Sequence, residues 1–367
     1  MVNDFSNGYA VVLAGGSGSR FWPKSRQQLP KQLCNINSDD FTLIEQTFMR
    51  LEEIIPVERR IIVTHYDQVE KTRAVVGDKA AIILAEPERK NTAAALASAA
   101  LFVRQLAHES GIEHPIMYSF HADHLIEKPD AYIHALQAAK VHAEHGSLVL
   151  LGIEPTYPST GYGYVHCGED QLTGVQGKKV KSFKEKPDRK LALEYLESGK
   201  YLWNSGIFVW SVKTLLQELA RYLPRTVARL ESASRKWDFH SKVLNMAIED
   251  YAVLEDISID HALLEKSDQV VVIPSRFSWL DLGSWESVDM CRPADDDSGN
   301  RLSGDILTLD CQSNIISTDS FVVATIGLQD FVVVVDQGAV LVCPKNRSQD
   351  VKKIVALLKE QKRLELL

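Results

Sequence analysis

The first half of the chain alternates between two kinds of segment, and this alternation restricts the fold more than any other feature. Short apolar runs at Tyr9–Leu13, Arg60–Thr64, Ala81–Ala85, Pro115–Ser119 and Ser147–Leu151 are separated by amphipathic or alanine-rich stretches. Each run has the length of a buried strand, and the stretches between them accommodate crossover helices, so the pattern predicts an α/β architecture with a parallel sheet. The alanine-rich stretch Ala93 to Val103 is too short to cross a bilayer. It reads as a helix packed on the sheet, with Asn91 or Thr92 capping its first turn. From Gly161 the pattern becomes β-rich, through Lys178–Phe183, and then helical across Lys213–Phe239 and Ser258–Glu265.

Beyond Arg292, the polar, turn-forming stretch Pro293-Ala294-Asp295-Asp296-Asp297-Ser298-Gly299-Asn300 predicts a linker between a large domain over 1–292 and a small one over 300–367. In the tail, runs at Asp305–Leu309, Asn314–Ser317, Phe321–Thr325, Phe331–Val335 and Ala339–Cys343 predict a small β structure, closed by a helix from Ser348 to about Leu366. A length of 367 residues with 45% hydrophobic content supports one large core and an appendage. The net charge of −8 argues against nucleic-acid and anionic-membrane partners, and leaves anion binding to local Arg and Lys clusters. Five cysteines, Cys34, Cys167, Cys291, Cys311 and Cys343, are odd in number and form no Cys-x-x-Cys pair, so neither a disulfide scaffold nor a zinc ribbon is indicated, and a reducing cytoplasm fits. The start, Met1-Val2-Asn3-Asp4, lacks a secretory pattern.

Directly after the first apolar run stands Ala14-Gly15-Gly16-Ser17-Gly18-Ser19-Arg20. Glycines at 15, 16 and 18 open backbone conformations closed to bulkier residues and bring N–H groups against phosphate oxygens, while Arg20 adds a permanent charge. A nucleoside triphosphate suits such a loop. The dinucleotide fingerprint needs a glycine where Phe21 stands, and no Gly-Lys-Ser/Thr tripeptide is present. A P-loop lysine serves transfer of the terminal phosphoryl group, so an arginine here, followed by Pro30-Lys31, points to a triphosphate held for attack elsewhere. A plain strand-to-helix turn also fits these residues, though three glycines and an arginine exceed what it requires.

Gly15-Gly16-Ser17-Gly18-Ser19-Arg20-Phe21-Trp22-Pro23 and Pro30-Lys31-Gln32 resemble the signature of the sugar-1-phosphate nucleotidyltransferases. Glu86-Pro87-Glu88-Arg89-Lys90-Asn91-Thr92-Ala93, Ala122-Asp123-His124, Gly161-Tyr162-Gly163-Tyr164, Phe183-Lys184-Glu185-Lys186-Pro187, Trp203-Asn204-Ser205-Gly206-Ile207-Phe208 and Trp279-Leu280-Asp281-Leu282-Gly283-Ser284-Trp285 are similar to the mannose-1-phosphate guanylyltransferase (GDP-mannose pyrophosphorylase) family. The resemblance runs in order through most of the chain. It implies a Rossmann-like mixed, mostly parallel sheet flanked by helices, with a small C-terminal β-rich domain like a truncated left-handed β-helix. No six-residue repeat is visible in the tail, and a small β cap contributing to oligomer contacts fits it equally.

The implied reaction is transfer of GMP from GTP to α-D-mannose 1-phosphate, giving GDP-mannose and pyrophosphate. Both reactants are anions and the nucleophile is already ionised, so the site needs cations more than an acid or base. Resemblance assigns that role to Arg20, Lys31 and Lys186 with Mg²⁺. It places the nucleotide on Leu13, Ala14, Gly15, Gly16, Gly18, Ser19, Arg20, Glu86, Asn91, Thr92 and Asp123. The sugar phosphate falls to Gly163, Glu185, Lys186 and Asn204, and the metal to Asp123 and Asp281. The residues alone leave alternatives: Lys186 lies in a lysine-rich hairpin, Asp281 suits a turn ahead of Gly283, and Glu86 is one of several acceptors for guanine donors.

Asp123 follows an apolar strand, where ligands bind in open α/β sheets. His121 and His124 do not make a zinc site, having no cysteine or third histidine nearby in sequence, and His124 reads as a hydrogen-bonding neighbour of the nucleotide or Asp123. Phe120 to Ala122 depart from the family's commoner proline and small residue, which bears on the loop and not on the aspartate. Many bacterial relatives carry a second isomerase domain, and the short stretch after Cys343 leads to the expectation of transferase activity alone, in a homodimer with no membrane or nucleic-acid partner. Two other functions stay open: a sister enzyme with another nucleotide or sugar, and a silent sugar-nucleotide-sensing subunit, against which Arg20, Lys31, Asp123, Lys186 and Asp281 speak together.

Overall fold

The apolar runs fold as strands in a computed structural model that describes residues 4–16, 18–80, 82–170 and 175–367. Ser17 of the glycine loop, Ala81 of the third run and Met1-Val2-Asn3 lie outside the described residues. In chain order the strands up to residue 281 are β1 (Gly8–Leu13), β2 (Arg60–His65), β3 (Ile82–Glu86), β4 (Ile116–His121), β5 (His124–Glu127), β6 (Leu148–Ile153), β7 (Tyr164–Asp170), β8 (Lys178–Lys184), β9 (Tyr201–Ser211), β10 (Val243–Asn245), β11 (Val270–Ser275) and β12 (Ser278–Asp281). Among the described residues ten of these form one sheet, ordered β10-β3-β2-β1-β4-β9-β6-β11-β8-β7, while β5 and β12 pair as a separate ribbon.

Strands β10, β3, β2, β1 and β4 run parallel. The fifth run, β6, reaches them only through β9, which lies antiparallel to both β4 and β6. Side chains alternate across β1: Tyr9, Val11 and Leu13 join one buried layer with the alanine-rich helix Asn91–Glu109, while Ala10 and Val12 join another with Phe48 and Leu136. Each such Val or Leu contributes roughly 1.5–3 kcal/mol on burial. The order β2-β1-β4 places a topological switch at β1, so the carboxyl ends of β1, β3 and β4 open on one crevice.

Neither Asn91 nor Thr92 caps the alanine-rich helix. Lys90 occupies that position without a side-chain bond, Asn91 sits at φ +62° and accepts from the Thr92 N–H at 3.0 Å, and the Thr92 hydroxyl accepts from the Ile259 N–H at 2.8 Å. The expected helical span 213–239 is two helices, Val212–Tyr222 and Pro224–Ser234, parted where Pro224 starts a new first turn. Residues expected to be helical from Ser258 to Glu265 form a π-helical turn, Asp260–Leu264.

The tail supplies β13 (Arg301–Ser303), β14 (Ile306–Leu309), β15 (Ile315–Thr318), β16 (Val323–Ile326), β17 (Phe331–Asp336) and β18 (Ala339–Pro344). Strands β13, β15 and β17 stack in parallel on one face, β14 and β16 on another, and β18 closes the coil antiparallel to β17. An asparagine ladder joins successive rungs: Asn314 Nδ2 donates to Asn300 Oδ1 at 3.0 Å, and the Phe331 N–H to Asn314 Oδ1 at 2.9 Å. The final helix is shorter than expected, Val351–Glu360. It ends with Lys362 at φ +58° and the Arg363 N–H bonded to the Leu358 carbonyl at 2.9 Å, a Schellman ending.

That turn returns the chain to the segment after the glycine loop. Trp22 Nε1 donates to the Leu366 carbonyl at 2.8 Å, and the Arg26 guanidinium to the carbonyls of Asp336 and Gln337 at 3.0 Å and of Glu365 at 3.2 Å. Phe21, Trp22, Trp285, Val332, Val334 and Leu358 share one apolar cluster, so the coil buttresses the loop from below.

Candidate active site

A cavity of about 360 Å³ occupies the crevice at the strand ends. Leu13, Ala14, Gly15 and Gly16 line one side, with Glu86, Asn91, Thr92 and Asp123 around the rest. The turn is pinned at its root, because the Ala14 N–H bonds the Val63 carbonyl at 2.8 Å and the buried Gln32 amide donates to the Ala14 carbonyl at 2.6 Å. Gly18, Ser19 and Arg20 stand away from this wall. Gly18 adopts φ +59°, and a β-carbon there would lie 2.5 Å from Lys31 Cβ, so the turn requires glycine. Arg20 lies in the next short turn, Ser19–Phe21, with an exposed side chain and no protein partner among the described residues.

Lys31, expected to face a triphosphate from the glycine loop, instead binds the two carboxylates expected to hold a metal. Its Nζ lies 2.8 Å from Asp123 Oδ2 and 3.4 Å from Asp281 Oδ1, and donates to the Leu282 carbonyl at 2.7 Å. The β5–β12 ribbon brings them together by pairing Asp281 opposite His124, next to Asp123. Burial alone would depress the Lys31 ammonium, but Asp123 and Asp281 outweigh it and raise the pKa. Burial likewise works against ionised Asp123, yet Lys31 holds that carboxyl well below its ordinary range. One ammonium against two converging carboxylates leaves a net negative centre of hard oxygens, a donor set that fits a divalent cation such as Mg²⁺.

A second cavity, of about 270 Å³, lies against the first and shares His121 and Asp123 with it. Gly163, Glu185, Lys186 and Asn204 all line it. A β-carbon on Gly163 would stand 2.4 Å from Glu185 Oε2, so this glycine makes room for the carboxylate. Lys186, at φ +43° and with its side chain 63% exposed, pairs with Glu185 at 2.8 Å. Asn204 donates to Asp260 at 2.7 Å and its backbone N–H to the Gly163 carbonyl at 2.8 Å. Burial raises the Asp260 carboxyl against the opposing Asn204 bond.

Glu86 is nearly enclosed, and burial pushes its carboxyl up to about 7 although the Tyr251 hydroxyl donates to it and Arg89 is near. Burial takes the His124 imidazole down to about 3, so it is neutral, and its Nδ1 accepts from Trp279 Nε1 at 3.3 Å. Sequence reasoning gave no site role to Gln32, Tyr251 or Asp260, and weighed His121 only as a zinc ligand before setting it aside. Gln32 stood in the quoted Pro30-Lys31-Gln32 segment without a role, whereas Tyr251 and Asp260 carry no local signal and meet Glu86 and Asn204 only through the fold.

The nucleotidyl transferase profile matches residues 9–295, and that of the MannoseP isomerase/GMP-like β-helix domain matches residues 304–358. Proteins named mannose-1-phosphate guanylyltransferase from Escherichia coli and Klebsiella pneumoniae are each 36% identical over 361 residues, covering 97% of this chain and 74% of theirs. This chain belongs to the mannose-1-phosphate guanylyltransferase family. As a member it is a nucleotidyltransferase enzyme. A crystal structure from Thermus thermophilus, described as a mannose-1-phosphate geranyltransferase, matches with a TM-score of 0.84 and 32% identity, over 96% of this chain and 99% of that one. The family match spans both the ten-stranded sheet and the C-terminal coil.

Proposed function

We propose that the first cavity binds GTP, the second binds α-D-mannose 1-phosphate, and the chain joins them as GDP-mannose. The observation that carries this reading is the shared wall: two adjacent cavities meet at Asp123 and His121, beside the Lys31–Asp281 pair. A phosphate oxygen of the sugar attacks the α-phosphorus in line, the bond from that phosphorus to the bridging oxygen breaks, and pyrophosphate leaves with its electron pair. No proton moves, so the protein contributes placement and charge.

Backbone N–H groups of Gly15 and Gly16 hold the triphosphate, and Arg20, free to swing, meets the departing pyrophosphate. Ionised Glu86 accepts from guanine N1–H and N2–H₂, with Asn91 and Thr92 on the ribose side. Glu185 and Asn204 accept and donate to mannose hydroxyls, and Lys186 holds the sugar phosphate. Asp123 and Asp281 would hold Mg²⁺, which when bound supplies positive charge to the phosphate oxygens; Lys31 keeps Asp123 ionised and orients both carboxylates.

Catalysis is assigned to residues 1–292, and residues 300–367 buttress the loop and join two copies as a homodimer through exposed Leu307, Leu309, Phe321 and Ile326. A cytoplasmic setting suits the five free thiols, and among the described residues no helix is long and apolar enough to cross a membrane. The test is pyrophosphate release with Mg²⁺ across the common nucleoside triphosphates and a panel of sugar 1-phosphates. GTP with mannose 1-phosphate should give the highest rate. A higher rate with another pair assigns a sister activity, and no release with any pair, alongside GDP-mannose binding, assigns a silent subunit.

A further inference from the structure

Of the two residues shared by both cavities, Asp123 already has a role and His121, at the carboxyl end of β4, has none. Ligand-capable atoms of His121, Asp123 and His124 all lie within 4.8 Å of one another. The two imidazoles are not equivalent. Trp279 can only donate, so its bond to His124 Nδ1 fixes the His124 proton on Nε2, and neither nitrogen of that neutral ring keeps a free lone pair. The His121 ring makes no hydrogen bond among the described residues and lies tilted against His124 with centroids 4.6 Å apart. Gly206, at φ +70°, keeps space open beside it, because a β-carbon there would stand 2.9 Å from His121 Nε2.

We infer that His121 supplies a nitrogen ligand to the divalent cation at Asp123, which gives this site a preference for Mn²⁺ over Mg²⁺. The inference rests on the placement of a cation at Asp123 and Asp281 in the proposed function. Imidazole binds Mn²⁺ and later first-row ions more readily than Mg²⁺, which favours oxygen and releases water reluctantly. Lys31 already offsets one of the two carboxylate charges, so a neutral nitrogen adds affinity where a third carboxylate would add repulsion. The cation then sits on the wall common to both substrates.

The test loads the full chain, labelled with ¹⁵N-histidine, with Mn²⁺ and a GTP analogue whose α and β phosphorus atoms are joined by a methylene, and records pulsed electron paramagnetic resonance. The wild type should show coupling to a directly bound ¹⁵N. H121A should lose it and bind Mn²⁺ on the order of tenfold more weakly; H121N, which keeps a side chain of similar reach, should lose the coupling too. Bound Mn²⁺ without ¹⁵N coupling, coupling that survives in H121A, or no Mn²⁺ binding in the wild type overturns the inference. Pyrophosphate release with Mg²⁺ on the same preparation reports the proposed function separately, so an active protein without coupling refutes the ligand alone.

Discussion

Replacing Glu86 with glutamine separates the stability lost by burying this carboxylate from the work assigned to it. Glu86 is 6% exposed, and burial raises its carboxyl from an ordinary 4.5 to about 7. The folded state therefore holds the proton more tightly than the unfolded chain. The stability contribution is fully present below about pH 4.5 and is lost as pH rises through about 7. At 1.36 kcal/mol per tenfold change in proton affinity, the ionised carboxylate lowers stability by about 3 kcal/mol at pH 8. Glutamine keeps the shape and an acceptor for the Tyr251 hydroxyl without ionising. E86Q should exceed wild type by about 2–3 kcal/mol at pH 8, with the gap closing near pH 4.5, in denaturant titrations at several pH values. GTP binding should move the other way. Wild-type affinity should fall roughly tenfold between pH 7.5 and pH 6 as the carboxylate protonates, while E86Q, which turns an amide NH₂ toward guanine donors, should bind weakly throughout. A stability gap independent of pH would refute the burial argument, and unchanged GTP affinity in E86Q would remove Glu86 from base recognition.

Three further sets of substitutions probe the charged groups. D123N and D281N should each raise the Mg²⁺ concentration needed for half-maximal activity, because the amide keeps shape but not charge; unchanged half-saturation in both would mean that substrate phosphates alone carry the metal. R20A should cut turnover by about 10²-fold while leaving thermal unfolding unchanged, since an exposed side chain adds no packing, and a loss below about threefold would exclude Arg20 from the chemistry. K186A should raise the KM for mannose 1-phosphate on the order of tenfold and leave calorimetric GTP binding intact; equal losses for both ligands would refute two separate anion sites.

Local pattern was enough to place the main strands. The runs read as Tyr9–Leu13 and Ser147–Leu151 are β1 and β6 within two residues, because a buried strand writes itself as a short apolar run. The turn after β1 was equally legible, since glycines at 15, 16 and 18 mark it in the sequence, and at Gly18 a β-carbon would collide with Lys31. Family membership, too, was carried by motifs of a few residues each. The ends of elements were less so: the last helix stops at Glu360 because the chain must turn back for Leu366 to meet Trp22, 344 residues away.

Tertiary structure alone decided how the charges are used. Lys31 has the same sequence neighbours whether its ammonium meets a triphosphate or a carboxylate, and the choice is made by Asp281, 250 residues on, delivered by the β5–β12 ribbon. The proton affinity of Glu86 depends on its burial and on Tyr251, 165 residues distant. His121 lies on the wall of both cavities only because β4 ends where they meet. Backbone conformation and side-chain periodicity depend on neighbours within a few positions, so a sequence declares them, whereas ionisation and ligand geometry depend on charge and solvent within a few ångströms, which the chain assembles from residues hundreds of positions apart.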